Sequence, residues 1–117
     1  MTEDVLGAVE GMEPGVERVL AANLAYLDSC LANMGAKALV LETRNQPNLT
    51  ETMEDRQQMF AKLAAGDLRA IGVPNPDVTA RMIVAMTSEA SLIELRAGRR
   101  TPAARKALRG FIESLGG

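Results

Sequence analysis

The sequence predicts an all-α protein. Pro and Gly divide the chain into four or five segments, and apolar residues recur at helical spacing in the long ones. No segment shows a long alternation of apolar and polar residues, the pattern of a half-buried strand. The 117 residues, 47% of them hydrophobic, can bury one sizeable core but are too few for two ordinary domains. We therefore expect one helical domain over residues 1–117, a bundle of about five helices.

The first long helix is predicted from Pro14, which suits a first helical turn, to just before Gly35, which suits a C-terminal cap. One face carries large apolar side chains, and the other carries small residues that allow close approach of a neighbouring backbone. This distribution predicts a central helix. Its apolar stripe comprises Val16, Leu20, Leu24, Leu27, Leu31 and Met34, widened by Val19, Tyr26 and Cys30.

Residues 36–44 form a run too short to assign by period, and we interpret it as helix because the rest of the chain is helical. The next helix is predicted to open at Asn48 and to close at Gly72. Asn48 also matches an N-glycosylation acceptor pattern, but without a secretory signal it is better interpreted as a helix cap. The inner stripe of this helix is Leu49, Met53, Phe60, Leu63, Ala64 and Ile71, with Arg56 and Asp67 on the same face.

The last two helices are predicted to start at Asn75-Pro76 and Thr101-Pro102, and Gly98 stops the first of them. Each has a bulky apolar stripe and a second seam of small residues. The bulky stripes are Val78, Met82, Ala85, Met86, Leu92 and Ile93, then Ala104, Leu108, Phe111, Ile112 and Leu115. The small-residue seams are Ala80, Val84, Thr87 and Ser91, then Ala103, Ala107, Gly110 and Ser114.

Two helices with two apolar faces each have more surface to bury than a five-helix monomer covers easily. We expect them to pair with their symmetry mates as a four-helix bundle across a two-fold axis. The alternative is that the small residues let helices cross closely within one monomer. The predicted dimer interface is Ala80, Val84, Thr87, Ser91, Ala103, Ala107, Gly110, Phe111 and Ser114.

Residue usage argues against many enzyme classes. The chain has no histidine and one cysteine, which argues against a disulfide scaffold, a Cys/His zinc site and a Ser-His-Asp triad. No Gly-rich phosphate loop and no fixed pair of carboxylates is recognisable, so we expect neither an enzyme nor a cofactor or metal site. An acidic N-terminus and the lack of a long apolar run predict a cytoplasmic protein that does not cross a membrane.

Charge is uneven along the chain. Residues 1–60 carry ten acids and four bases, whereas residues 61–117 carry five acids and nine bases. The basic excess could mark a nucleic-acid patch. We favour cations at a helix C-terminus and on the polar side of the last helix, because no aromatic residues interleave them. These cations are Arg96, Arg99, Arg100, Arg105, Lys106 and Arg109.

The helix faces also nominate a small-ligand site. A mostly apolar cavity with a few polar groups suits such a site, although methionines and aromatics at helical spacing also form ordinary core. Glu89 could pair with Arg56 or Arg96, reach across the dimer axis, contact a ligand or be exposed. Cys30 is interpreted as a small buried hydrophobe. The candidate ligand residues are Tyr26, Cys30, Met53, Arg56, Phe60, Met82, Met86 and Glu89.

Four fragments together resemble the C-terminal half of TetR-family transcriptional regulators: residues 22–28, 36–42, 60–72 and 77–86. The resemblance implies a helical domain that encloses a small-molecule pocket and dimerises through its last two long helices. In an intact regulator of this family, ligand shifts the separation of two DNA-binding heads and so the affinity for an operator.

Family members begin with a three-helix DNA-binding domain, and residues 1–12 are too few to hold one. We therefore expect either a shortened regulator or a stand-alone domain, with residues 1–12 a frayed end or the remnant of an interdomain helix. The expected partners are a second copy and a small hydrophobic or amphipathic ligand, with DNA contacted only through the missing domain. The alternative is a helical dimerisation or protein-interaction module without a pocket.

Overall fold

A computed structural model describes the backbone of residues 2–32 and 47–116 and the side chains of residues 5–32 and 58–116. Within these ranges every regular element is an α-helix, which confirms the predicted class. The helices are α1 (Thr2–Ala8), α2 (Val16–Ala32), α3 (Pro47–Ala70), α4 (Pro76–Ala97) and α5 (Pro102–Ser114). The predicted helix over residues 36–44 lies outside the described residues.

Glycine and proline mark most helix ends as predicted, but α2 begins at Val16 and leaves Pro14 outside the helix. Gly72 and Gly98 follow α3 and α4 with φ of 79° and 71°, the left-handed conformation that favours glycine. The Gly98 N–H donates to the carbonyls of Glu94 and Leu95, which satisfies the end of α4. Asn75 precedes α4 in a left-handed conformation but makes no side-chain cap, and Asn48 lies one residue inside α3.

Helix α2 is central, as its two uncharged faces predicted, because it packs against each of the other four helices. The deepest core side chains come from four helices and are at most 1% exposed: Leu27, Leu68, Ile83, Leu108 and Ile112. The predicted stripe of α5 is confirmed, since Leu108 and Ile112 are buried and its other members pack against the core. The described part of the α2 stripe behaves likewise, with Val19, Leu20, Leu27 and Cys30 buried.

The bulky apolar stripe predicted on α4 does not face the core as a whole, although Met86 packs against it. Val78, Met82 and Ile93 are 60%, 53% and 39% exposed, whereas the small-residue side carrying Ala80 and Thr87 is buried. The buried side of α4 combines these small residues with Ile83, and it contacts α2 through the Thr87–Asn23 hydrogen bond. On α3, the predicted inner residues Leu63 and Ile71 are likewise 51% and 40% exposed. The α3 residues that face the core are Ala61, Ala64, Ala65 and Leu68.

Candidate functional site

Two of the predicted ligand residues meet inside the bundle. The rings of Tyr26 on α2 and Phe60 on α3 are 6.0 Å apart between centroids, at an interplanar angle of 68°. This edge-to-face arrangement is favourable for aromatic pairs. On the same helix as Tyr26, Cys30 is 1% exposed, and Met86 of α4 packs against the core. The side chains of Tyr26 and Cys30 on α2 and of Met86 on α4 thus lie in the core or pack against it, and Phe60 on α3 contacts the Tyr26 ring.

The structure does not bring all the predicted ligand residues to that interior. Met82 and Glu89 lie on the solvent side of α4. The side chains of Met53 and Arg56 lie outside the described residues. Glu89 is exposed and makes no ion pair with Arg96 or any other described residue, whereas its predicted pairing with Arg56 involves a side chain outside the described residues.

A continuous exposed row runs along α4, and we call it the α4 outer stripe. Its members recur at intervals of three or four residues, which places them on one face of the helix. They are Val78, Met82, Ala85, Glu89 and Ile93. Four of the five are apolar, so this surface is costly to leave in contact with water.

The residues predicted for the dimer interface divide between inside and outside. On α4, Ala80, Thr87 and Ser91 are at most 4% exposed within one chain, and Val84 packs against the core. These four therefore face their own bundle. On α5, Phe111 packs against the core, whereas the small-residue seam is exposed. That seam is Ala103, Ala107, Gly110 and Ser114.

The buried carboxylate of α4 is Glu94, not Glu89. Glu94 is 1% exposed and accepts hydrogen bonds from Arg105 Nε at 2.7 Å, Arg105 Nη2 at 2.9 Å and the Thr101 backbone N–H at 2.8 Å. Arg105 Nη1 also donates to Asp28 of α2 at 2.8 Å, and Arg100 reaches the same carboxylate at 3.1 Å. One charged network therefore joins α2, α4 and α5 at one end of α4.

This network fixes the charge of its central group. Burial by itself would raise the pKa of Glu94, but the hydrogen bonds from Arg105 and Thr101 outweigh it and lower the pKa below its ordinary value. The hydrogen bond to Glu94 likewise raises the pKa of Arg105. Glu94 could have been found from the sequence, because it continues the helical spacing of Ile83, Thr87 and Ala90.

A second ion pair ties the start of α2 to α3. Arg18 Nε donates to Asp67 Oδ2 at 2.7 Å, Arg18 Nη2 donates to Asp67 Oδ1, and Arg18 Nη1 donates to the Met12 carbonyl at 3.2 Å. Asp67 is only 4% exposed, as its place on the inner face of the predicted helix suggested. The bond to Asp67 raises the pKa of Arg18. This contact holds the segment before α2 against the bundle.

Polar side chains also lie between α2 and α4. The Thr87 hydroxyl donates to Asn23 Oδ1 at 2.7 Å, and Asn23 Nδ2 donates to the Val19 carbonyl at 2.7 Å. One turn further along α4, the buried hydroxyl of Ser91 has no hydrogen-bond partner among the described residues. A buried hydroxyl of this kind offers a hydrogen bond to a water or a bound molecule.

An open cleft of about 460 Å³ lies where the segment before α2 meets the end of α3 and the chain's C-terminal residues. Apolar side chains and two acidic residues line it, and it shares no lining residue with the predicted ligand site. Its lining side chains include Met12, Glu13, Val16, Glu17, Ile71 and Leu115.

Over the described residues, no group of three or more Cys, Asp or Glu side chains is placed to hold a metal ion. In the same part of the chain, no helix is both long and apolar enough to cross a membrane.

Comparison with known proteins identifies the fold family. The model of the family described as "Tetracyclin repressor-like, C-terminal domain" matches residues 9–114, nearly the whole chain. No curated protein and no solved structure gave a significant match. The match extends over α2 to α5, including the central helix and the two helices predicted to dimerise. The chain therefore belongs to the family of tetracycline-repressor-like C-terminal domains.

Proposed function

We propose that the chain is the small-molecule-sensing and dimerisation domain of a TetR-like transcriptional regulator, and that it acts without catalysis. The family match over residues 9–114 supports this proposal. In such a regulator, a ligand bound inside the helical domain changes the relative placement of two subunits. In an intact regulator, a domain of this kind converts ligand concentration into DNA affinity through separate DNA-binding heads, and we do not expect residues 1–117 to bind DNA by themselves.

The exposed α4 outer stripe is the observation that supports dimerisation. Val78 and Met82 are 60% and 53% exposed, although both are large apolar side chains. Removing such an apolar surface from water is favourable. A second copy presents the same surface, so two copies can bury it against each other. The exposed small-residue seam of α5 adds a face that allows close helix packing, as in a four-helix bundle.

The ligand-sensing half is supported by the side chains that enter the bundle from α2, α3 and α4. The Tyr26 and Phe60 rings and the half-buried Met86 favour an apolar ligand body. The unpaired Ser91 hydroxyl supplies a polar group in the interior of the described bundle. These side chains are of the types that bind a small hydrophobic or amphipathic molecule, the class of ligand that we propose.

Tyrosine fluorescence gives a direct test. The chain has one tyrosine and no tryptophan, so its emission reports on Tyr26 alone. We expect at least one of decanoate, decanol and decylamine to change this emission saturably below its micelle-forming concentration. A molecule bound only in the open cleft near Ile71 and Leu115 contacts other residues and would leave the emission unchanged.

The two phenylalanines supply a matched pair of variants. Phe60→Leu removes the ring that contacts Tyr26 and is expected to weaken binding of the compound. Phe111→Leu changes a ring of α5 that packs against the core and should leave the affinity for the compound within about twofold. If no compound changes the emission of the wild-type chain, the sensing proposal fails. The chain is then a helical dimerisation or protein-interaction module with a filled core.

A further inference from the structure

Two charged residues on the exposed side of α4, Glu89 in the α4 outer stripe and Arg81 beside it, can pair with the same residues of a second copy. Arg81 and Glu89 lie four residues before and four residues after Ala85, and all three are exposed. Since a helical turn takes about 3.6 residues, the two charges lie about one turn on either side of Ala85. Neither charge forms an ion pair with another described residue.

Two copies of α4 related by a two-fold axis can run parallel or antiparallel. In a parallel pair, Glu89 faces Glu89 and Arg81 faces Arg81, which places like charges together. In an antiparallel pair that crosses at Ala85, Glu89 of each copy approaches Arg81 of the other. The antiparallel arrangement therefore forms two ion pairs where the parallel one has two repulsions.

The apolar members of the stripe favour the same arrangement. Ala85 has the smallest side chain of the stripe, so two helices approach most closely where it forms the crossing point. Val78 and Ile93 lie seven residues before and eight residues after Ala85. An antiparallel crossing at Ala85 sets these two β-branched side chains against each other at both ends of the contact.

We propose that the partner of the α4 outer stripe is a second copy of this chain, with the two α4 helices antiparallel, crossing at Ala85 and paired through Glu89 and Arg81. This assignment rests on the homodimer of the proposed function and specifies its register. It also gives Glu89 a role that the single chain does not show: orienting the subunits.

Disulfide trapping tests the register. A residue on the two-fold crossing meets its own copy, and a disulfide needs Cα atoms about 4.4–6.8 Å apart. Ala85→Cys is therefore expected to form a covalent dimer when diamide is added to dilute protein. The native Cys30 is 1% exposed and is retained, so the wild-type chain serves as the oxidation control.

Val78→Cys is the matched control on the same stripe. Seven residues of α-helix separate it from the crossing, so its two copies lie about 20 Å apart in the antiparallel dimer and cannot join. Mixing Val78→Cys with Ile93→Cys should instead give a covalent heterodimer of the two variants. Strong self-linking of Val78→Cys would indicate parallel helices and overturn the proposal.

Charge exchange provides an independent readout. Arg81→Glu and Glu89→Arg each create like-charge contacts and should weaken the dimer by about tenfold or more, whereas the double variant should recover affinity to within a few-fold of wild type. Glu113→Arg, a reversal at an exposed position on α5, is the control. A double variant no tighter than the single variants overturns the register.

The outcomes separate the two proposals. A stable dimer in which Ala85→Cys does not cross-link and the charge exchange gives no recovery overturns the register but leaves the homodimer standing. A wild-type chain that remains monomeric at the concentrations tested overturns both.

Discussion

Replacing Glu94 with alanine tests the charged network that joins three helices. The substitution removes three hydrogen bonds, two from Arg105 and one from the Thr101 backbone. It leaves Arg105, a side chain that is 16% exposed, without its principal partner. Since Asp28 still accepts from Arg105 at 2.8 Å, the guanidinium keeps one carboxylate.

Removing one partner of a buried ion pair typically costs about 3–5 kcal/mol in unfolding free energy. The remaining contact with Asp28 and the partial exposure of Arg105 place Glu94→Ala near the lower bound, at about 3 kcal/mol. Glu113→Ala is the control, because its ion pair with Arg109 is exposed on both sides and should cost less than about 0.5 kcal/mol. Urea unfolding followed by far-UV circular dichroism, at one protein concentration, measures both.

The difference in unfolding free energy between the wild type and Glu94→Ala should depend on pH if the ionised Glu94 side chain is its cause. Because the folded pKa of Glu94 lies below its ordinary value, the unfolded chain binds a proton first as pH falls. The stability that Glu94 contributes is therefore complete above about pH 5 and declines as pH falls below about 4.3 towards the lowered pKa. A loss below about 1 kcal/mol on Glu94→Ala, or a difference between the wild type and this variant that is unchanged at about pH 3, would show that the ionised Glu94 does not stabilise the fold.

Two more comparisons test a second ion pair and the helix ends. Asp67→Asn should cost about 1–3 kcal/mol because it weakens a pair whose carboxylate is 4% exposed, whereas Asp77→Asn, in an exposed pair with Arg69, should cost under about 0.5 kcal/mol. Equal losses in urea unfolding would contradict this. Gly72→Ala, at a φ of 79°, should cost about 1 kcal/mol. Gly66→Ala, at a position in α3 where an added Cβ meets no atom within 4 Å, should stabilise the protein by about 0.5–1 kcal/mol in thermal unfolding. If Gly66→Ala destabilised the protein more than Gly72→Ala, backbone conformation would not determine the effect of alanine at these two positions.

The helix order and most helix ends could be predicted because they depend on local chemistry. Proline at a first helical turn and glycine in a left-handed conformation act within a few residues, as at Pro76, Gly72 and Gly98. The core faces of α2 and α5 were predictable as well. On each of these helices the bulky apolar residues lie on one face, and the opposite face offers only small or charged side chains.

The orientation of α4 could not be predicted because both of its faces are largely uncharged. Bulky residues such as Met82 suggested the inner side, but Met82 is 53% exposed, whereas the buried side combines small residues such as Ala80 with Ile83. Hydrophobicity along one helix does not reveal how closely its neighbour lies. That distance is a property of the pair of helices.

The buried charges were missed for a similar reason. Glu94 is stable in the interior only because Arg105, on the following helix, and the Thr101 N–H both reach it. Helical spacing within α4 could place Glu94 on the inner face, but the partner comes from another element. Glu89 attracted notice because apolar and small residues surround it in the sequence, but its own side chain lies on the exposed side of α4 with Ala85 and Ile93.

The central claim, that this domain pairs through its last two helices, is tested most directly by molar mass from light scattering across a dilution series. We expect a persistent mass of twice the 12.5 kDa of one chain, and loss of that dimer on Met82→Glu, which puts a charge in the α4 outer stripe. Lys62→Glu, on the exposed side of α3, should leave the mass unchanged. A wild-type mass of 12.5 kDa at all concentrations would show that the domain does not pair and that no second copy covers the exposed stripe.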